Sequence, residues 1–382
     1  MPTYPTYKLG EICGIVYGKG LPTKNLKTKG FPVFGANGII GYYDSFLYEE
    51  EQLLISCRGA YSGKINISPK QCFITNNSLV ITPKEGQNVD KRYLYYTLQA
   101  TNKTKLVTGT AQPQVTINNA EDLQIPLPPL PTQQAIVARI EALFAELDKA
   151  AEHLRTAQQQ LKTYRQAVLN HWLNNDDGKW EMVPIKEIIS VISNGSTPKA
   201  DKMFSKGEIQ FLKVYNLNFD GSINLSKEPV FIERDTHETL LKRSQTKQGD
   251  VLINIVGPPL GKVSIIPEGE KEYNINQAIV MFRPNEFVTS KFLAYYLMSP
   301  QVIAWLTSTS KATAGQYNVK VSTCREIMFP KISISDQHRI VQEIESRLSQ
   351  AEAAEASIAE ALQKTEALRQ SILKKAFSGE LV

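Results

Sequence analysis

Between Ile136 and Val168 the apolar side chains recur in alternating steps of four and three: Ile136, Ile140, Leu143, Leu147, Ala150, Leu154, Ala157, Leu161, Tyr164 and Val168. That spacing predicts one amphipathic helix with a heptad-like seam. A second run repeats it at Ile340, Ile344, Ala351, Ala354, Ile358, Ala361, Leu368 and Ile372, interrupted by Arg347 and Thr365. Thr132 and Asp336 read as the N-caps of the two helices. A helix over residues 132–173 spans roughly 63 Å at ~1.5 Å per residue. Such a helix needs a partner for its seam, and each run offers the other. Ala150 and Ala157 opposite Ala354 and Ala361 allow a close approach of the two backbones. A coiled coil that merely joins chains has the same pattern, but it does not account for what flanks the helices.

The flanks are duplicated. Residues 132–173 align without a gap to residues 336–377, at a constant offset. Gln133, Ile136, Val137, Ile140, Glu141, Arg165, Gln166 and Leu169 meet Gln337, Ile340, Val341, Ile344, Glu345, Arg369, Gln370 and Leu373. Outside the helices the match is looser but keeps its order. Leu53–Ile67 with Gly63-Lys64 parallels Val251–Ile266 with Gly261-Lys262. Phe73–Pro83 parallels Tyr273–Pro284, and Tyr93–Tyr96 parallels Phe292–Tyr296. The chain therefore reads as a globular segment (1–131), a helix (132–173), a second globular segment (174–335) and a second helix (336–382).

Both globular segments mix short β-like runs (Gln52–Ser56, Phe73–Ile81; Asp250–Val256, Ala278–Phe282) with a late helix (Lys91–Ala100; Ser290–Leu306). The class is α+β. The Pro-rich run Ile125–Pro131 is expected to be a stiff hinge into the first helix rather than an SH3 ligand. The second junction, Ile327–Ile332, keeps one proline and is expected to be less stiff.

Charge then narrows the partner. Net charge is +5, with Lys+Arg exceeding Asp+Glu by four in residues 1–131 and by two in 174–335. Residues 336–382 carry an acidic excess of two. A positive excess in the globular segments leans toward a polyanion. Candidate contacts in the first segment are Lys19, Lys24, Lys27, Arg58, Tyr61, Lys64, Asn76, Asn77, Gln112 and Gln114. In the second they are Lys199, Lys202, Lys213, Asn216, Lys262, Asn276, Gln277, Gln316, Tyr317 and Asn318. Lysine suits phosphate, while Arg, Asn and Gln suit base edges. Solvated turns use the same residues, so composition alone does not separate the two readings.

Several classes drop out. No run of eighteen apolar residues is present, and the N-terminal residues lack a signal-peptide pattern, so a cytoplasmic protein is expected. Cys13, Cys57, Cys72 and Cys324 form no CxxC pair and have no histidine cluster beside them; buried reduced thiols are expected, with no metal. There is no phosphate-binding GxxxxGK[ST] and no GxGxxG. Gly257-Pro258-Pro259-Leu260 only approaches an amino-methyltransferase motif. A recognition module fits better than an enzyme.

At this point the chain resembles the specificity subunits of Type I restriction–modification systems. The segments Thr110–Pro113, Leu123–Leu130 and Gln133–Val137 resemble the end of a target-recognition domain entering a helical region. Leu368–Leu381 resembles the usual ending of that family. The resemblance implies two similar target-recognition domains separated by two long helices packed as an antiparallel coiled coil, with an internal pseudo-two-fold repeat. Each domain would read one half of a bipartite, asymmetric site in double-stranded DNA, and the helices would set the spacer. Two methyltransferase subunits carrying S-adenosylmethionine would dock on this chain, with two motor-nuclease subunits using ATP and Mg²⁺. This chain itself would bind no cofactor and carry no catalytic residue. A Type IIB-like assembly, a scaffold that binds no DNA and a stand-alone methyltransferase are the alternatives.

Overall fold

A computed structural model describes residues 4–101, 106–109, 113–175, 177–269, 271–313 and 316–381. The chain divides into two compact units: residues 1–155 with 359–382, and residues 156–358. Each unit therefore holds one globular domain, part of the first long helix and part of the second.

The first domain contains β1 (Thr6–Lys8), α1 (Leu9–Ile12), β2 (Cys13–Tyr17), β3 (Phe31–Phe34), β4 (Ile39–Tyr43), β5 (Leu53–Ser56), β6 (Ile65–Ile67), β7 (Phe73–Ile74), β8 (Ser78–Pro83), α2 (Lys91–Ala100), α3 (Ile117–Glu121) and β9 (Gln124–Pro126). The long helix α4 (Leu130–Leu173) follows. The second domain contains β10 (Met182–Pro184), β11 (Val191–Asn194), β12 (Ile209–Leu212), β13 (Phe231–Ile232), α5 (Arg234–Glu238), β14 (Val251–Asn254), β15 (Val263–Ile265), β16 (Tyr273–Ile275), β17 (Ile279–Arg283), α6 (Ser290–Met298), α7 (Pro300–Thr309), β18 (Lys311–Thr313), β19 (Gln316–Asn318), α8 (Val321–Arg325) and β20 (Met328–Pro330). The chain then enters α9 (Ile334–Ser378).

The two domains share one topology. An antiparallel sheet runs β2-β8-β5-β6 in the first and β11-β17-β14-β15 in the second. A smaller sheet, β4-β3-β7 or β13-β12-β16, contains one parallel pair, and a two-stranded ribbon, β1-β9 or β10-β20, ties the two ends of each domain together. The central strands are apolar on both faces because both faces are covered. Leu53, Ile55, Leu79 and Ile81 join the core that includes Leu94 and Leu98 of α2. The alternate residues Leu54 and Val80 join Phe34 and Ile74 of the small sheet. The second domain repeats this, with Val251 and Ile253 toward α6 and Leu252 and Met281 toward Leu212 and Ile275. Period-two alternation thus feeds two cores. Truncating any of these leucines to alanine costs roughly 2–5 kcal/mol.

Each domain is fastened to the helix that follows it. Gln133 is fully buried; its Oε1 accepts from the Asp90 amide at 2.8 Å, and its Nε2 donates to the carbonyls of Asn88 (2.9 Å) and Pro128 (2.8 Å). Gln337 repeats the clamp, accepting from the Thr289 amide at 2.8 Å and donating to Phe287 (2.7 Å) and Ile332 (3.3 Å). The same Asp90 and Thr289 side chains cap α2 and α6.

The first junction, expected to be stiff, is held by hydrogen bonds as well as by its prolines. Gln124–Pro126 is strand β9, Leu127 N donates to Pro5 O at 2.8 Å, and Tyr93 Oη donates to Pro126 O at 2.7 Å. The second junction is equally pinned: Tyr296 Oη donates to Met328 O at 2.6 Å within the β10-β20 ribbon. Both junctions are therefore pinned by equivalent hydrogen bonds despite their different proline content.

Within each unit the early part of one helix packs on the late part of the other, so the two helices run antiparallel. In the first unit Ile136, Val137 and Ile140 meet Leu373 and Ala376, with Ile372 and Phe144 at the margin. In the second, Val168, Leu169 and Leu173 meet Ile340, Val341 and Ile344. Ion pairs repeat across the duplication. Arg369 pairs with Asp148 and lies 4.8 Å from the Phe144 ring. Arg165 pairs with Glu355 at 2.9 Å and Glu352 at 3.9 Å.

Leu143, Leu147, Leu154, Leu161 and Ile358 of the seam are half-buried. The seam needs two corrections. Ala150 is exposed while Ala151 is buried. Tyr164 is 41% exposed and its counterpart Leu368 is 50% exposed, while Arg165 and Arg369 turn inward. A straight helix drifts ~20° per heptad from a 3.5-residue repeat, so by Tyr164, four heptads after Ile136, the drift is ~80°, most of the ~100° that separates successive residues, and the inward position passes to Arg165. The helices also begin two residues earlier than Thr132 and Asp336. Ser333 Oγ accepts from the Asp336 amide at 3.1 Å and donates to Asp336 Oδ2 at 2.7 Å, which makes Ser333 the cap. In the second domain the expected single late helix is two, because Pro300 starts α7 after the Ser299 break.

The four cysteines are buried and unpaired, and burial pushes the Cys13 and Cys324 thiols up to about 12. Among the described residues no helix is long and apolar enough to cross a membrane, and no group of three or more His, Cys, Asp or Glu could hold a metal.

Candidate nucleic-acid interface

In the first unit three loops meet at one end of the β2-β8-β5-β6 sheet. The sequence leaves β5 at Cys57, whose amide donates to Asn77 O at 2.9 Å. Arg58 then forms a bridge with Gln114, and Gly59 N donates to Pro113 O at 3.1 Å. Ser62 Oγ donates to the same Pro113 carbonyl at 2.7 Å. The turn between β7 and β8 brings Asn76 and Asn77 alongside, and Asn76 N donates to Lys19 O at 3.2 Å. Gly18 permits that approach, since a methyl group there would collide with the Thr75 carbonyl. Arg58, Tyr61 and Gln114 are exposed on this cluster, and Asn76 and Asn77 are half-buried in it.

The second unit builds the same crossing. Ile255 N donates to Ala278 O at 2.9 Å, Val256 bridges Asn318, and Gly257 N donates to Tyr317 O at 3.1 Å. Gly195 stands where Gly18 stands, against the Ile275 carbonyl. Asn318 and Gln277 are exposed there, and Gln277 accepts from the Thr197 hydroxyl. Tyr317 is half-buried, and Gln316 lies in β19. Gln112 falls outside the described residues.

The lysines are less concentrated. Lys19 is exposed beside the first cluster, while Lys24 lies on a separate 3-10 turn (Thr23–Asn25). Lys27 pairs with Asp44 at 2.7 Å, an exposed contact that holds it weakly. Lys64 lies 5.9 Å from the Tyr61 ring. Lys199 is exposed and Lys202 half-buried around the turn Ala200–Lys202. Lys213 lies 6.0 Å from the Tyr215 ring. Lys262 is half-buried, donates to Val214 O at 3.3 Å and lies 5.8 Å from the Phe219 ring. Burial, with Lys227 nearby, lowers its pKa, so its charge is costlier to keep than that of an exposed lysine.

One candidate is corrected outright. Asn216 is 2% exposed; its Nδ2 donates to Asn224 O and Lys227 O, and its Oδ1 accepts from Lys213 N. Every hydrogen-bonding group it has is committed to folding its own loop, so it is not available to a base. Asn276 is half-spent the same way, accepting from the Ala278 amide at 3.2 Å.

Sequence reasoning missed the functional weight of Gln133, Gln337, Arg165 and Arg369. Their signal was identity across otherwise diverged halves, but two of the three partners of each glutamine lie more than forty residues away in the chain.

Comparison with known proteins agrees with this duplicated plan. A model of the type I restriction modification DNA specificity domain matches residues 1–154 and again 177–363. The chain is 27% identical over 361 residues to the EcoBI type I restriction enzyme specificity subunit of Escherichia coli, covering 87% of this chain and 74% of that protein. It is 23% identical over 415 residues to the EcoDI specificity subunit of Escherichia coli, covering 99% and 88%. Among solved structures, a chain from a type I R-M system studied for its complex assembly and conformational transition superposes with a TM-score of 0.73 at 20% identity, covering 100% and 99% of the two chains. The HsdS subunit from Thermoanaerobacter tengcongensis gives 0.56 at 19% identity, covering 100% and 98%. With both halves matched by one family model, over most of its length, the chain belongs to the type I restriction modification DNA specificity family.

Proposed function

We propose that this chain is the DNA-specificity subunit of a Type I restriction–modification complex. Each domain reads one half of a bipartite, asymmetric duplex sequence through its loop cluster. Lysines around the cluster meet phosphates, and Arg, Asn and Gln side chains meet base edges. The paired helices set the unspecified spacer and give the methyltransferase subunits their docking surface. S-adenosylmethionine, ATP and Mg²⁺ belong to the partner subunits, and this chain supplies recognition without catalysis.

The observation that carries this reading is the duplication of frame without duplication of surface. Two domains share strand order, loop crossing and glutamine clamp, yet present different side chains at the crossing. A bipartite asymmetric target requires that combination.

The test is genome-wide methylation mapping in the source strain with and without this gene. A bipartite adenine-methylated motif should vanish on deletion and return on complementation. Methylation that is unaltered by the deletion sinks the reading.

A further inference from the structure

In both units the segment leaving the central strand is held by one antiparallel bridge: Arg58 with Gln114 in the first, Val256 with Asn318 in the second. Around Arg58 the backbone is fixed on every side. Cys57 N donates to Asn77 O at 2.9 Å, Gly59 N to Pro113 O at 3.1 Å, and Gly63 N to Ser56 O at 2.8 Å. The Arg58 side chain is exposed, and among the described residues it makes no ion pair or side-chain hydrogen bond.

That freedom is unusual for arginines in these domains. Residues 1–131 contain one other arginine, Arg92, which lies 3.8 Å from Glu51. In residues 174–335, Arg234 is surrounded by Glu208, Glu238 and Glu272, and Arg283 holds Asp250 through Nε and Nη2. Arg325 donates to Ile192 O at 3.2 Å, and Arg243 reaches Gly195 O at 3.5 Å. Among the described residues, then, Arg58 is the arginine of the first domain that has neither an ion pair nor a side-chain hydrogen bond, and it sits on a loop held by main-chain hydrogen bonds. The second domain offers valine at the equivalent place.

We propose that Arg58 reads a guanine in the half-site taken by the first domain, and that the second domain, with Val256 at the same bridge, reads no guanine there. The proposal rests on the specificity-subunit reading above. The planar fork of an arginine matches the O6 and N7 acceptors of guanine in the major groove; lysine reaches the same acceptors only as a flexible point charge, without the preformed fork. A backbone already ordered in the free protein loses little further entropy when the fork docks. A phosphate contact would need only the charge, which the surrounding lysines already supply.

The experiment uses the complex of this chain with its methyltransferase partner. Wild type, Arg58→Ala and Arg58→Lys each select from a duplex pool randomised across both half-sites. Arg58→Ala should lose a guanine preference at one position of one half-site, by about tenfold or more, and Arg58→Lys should weaken the preference at that same position. The other half-site should stay sharp and report that the subunit is folded. Three results overturn the proposal: an unchanged motif; a uniform loss across sequences that lysine restores, which marks a phosphate contact; or blurring of both half-sites by both variants. A wild-type complex that selects no bipartite sequence would instead sink the specificity-subunit reading, independently of Arg58.

Discussion

The two halves of this protein agree where structure is built and differ where DNA would be read. Gln133 and Gln337 make the same three hydrogen bonds. Arg165 and Arg369 make equivalent ion pairs between the helices. At the loop crossing, by contrast, Arg58-Gly59-Ala60-Tyr61 stands opposite Val256-Gly257-Pro258-Pro259. The backbone hydrogen bonds of the crossing survive that change, because they come from main-chain groups. The lesson is that main-chain bonding and buried amides hold the frame, which leaves exposed side chains free to diverge.

The largest expected effect tests the helices as a ruler shared by both halves. Inserting one heptad in α4 between Glu152 and Gln160, with a matching one in α9 between residues 356 and 364, lengthens the pair by roughly 10 Å. Methylation mapping should show a spacer about three base pairs longer with both half-sites unchanged. Altered half-sites with the original spacer would break the division between reading domains and ruler.

The clamps come next. Gln133→Ala leaves the Asp90 amide and the Asn88 and Pro128 carbonyls short of a partner, and should cost about 3 kcal/mol at ~1–3 kcal/mol per unsatisfied buried group with partial rehydration. Gln337→Ala should cost a similar amount. Denaturant titration of both variants checks this; a difference beyond ~2 kcal/mol would mean that the halves are not equivalent at their best-matched point.

The ion pairs are smaller. Arg369→Ala and Arg165→Ala should each destabilise by about 1 kcal/mol, because their carboxylate partners are partly exposed. The loss should shrink in high salt. A cost above ~3 kcal/mol would show that stacking on the Phe144 ring, rather than charge, dominates at Arg369.

The smallest effect separates the halves by pH. His237, in the second unit, is 2% exposed, and its Nδ1 faces Asn274 Nδ2 at 3.1 Å. Burial lowers its pKa below the ordinary value near 6.5, opposed by Glu272 and reinforced by Arg234. Well above pH 6.5 the ring is neutral both folded and unfolded. As the pH falls below that value the unfolded chain takes up the proton first, so the second unit loses stability. Calorimetry between pH 7.5 and 5.5 should show this decline, and His237→Asn should remove it. A decline of the same size in the variant would assign it to other groups.

The split between legible and hidden features follows interaction range. Helix Lys91–Ala100 was readable because its cap and its period lie within a dozen residues. The burial of Ala151 instead of Ala150 was not, since a small angular drift accumulates over 44 residues and a heptad count ignores it. Asn216 looked like a base reader because asparagine in a polar loop serves turns and bases equally; only its three partners decide which. The run Phe73–Ile81 looked like one strand. The turn at Thr75–Asn77 splits it, sending Phe73–Ile74 to the small sheet and Ser78–Pro83 to the large one.

By itself, the sequence determined the duplication, the two long helices and the family, because a gapless repeat and an apolar seam are properties of residue order. Tertiary structure alone decided which faces of those helices are buried, what Gln133 and Gln337 hold, and which polar side chains at the loop crossing remain free. These depend on groups brought together from distant parts of the chain, where the satisfaction of a buried amide or the exposure of a guanidinium is set by neighbours that local pattern does not encode.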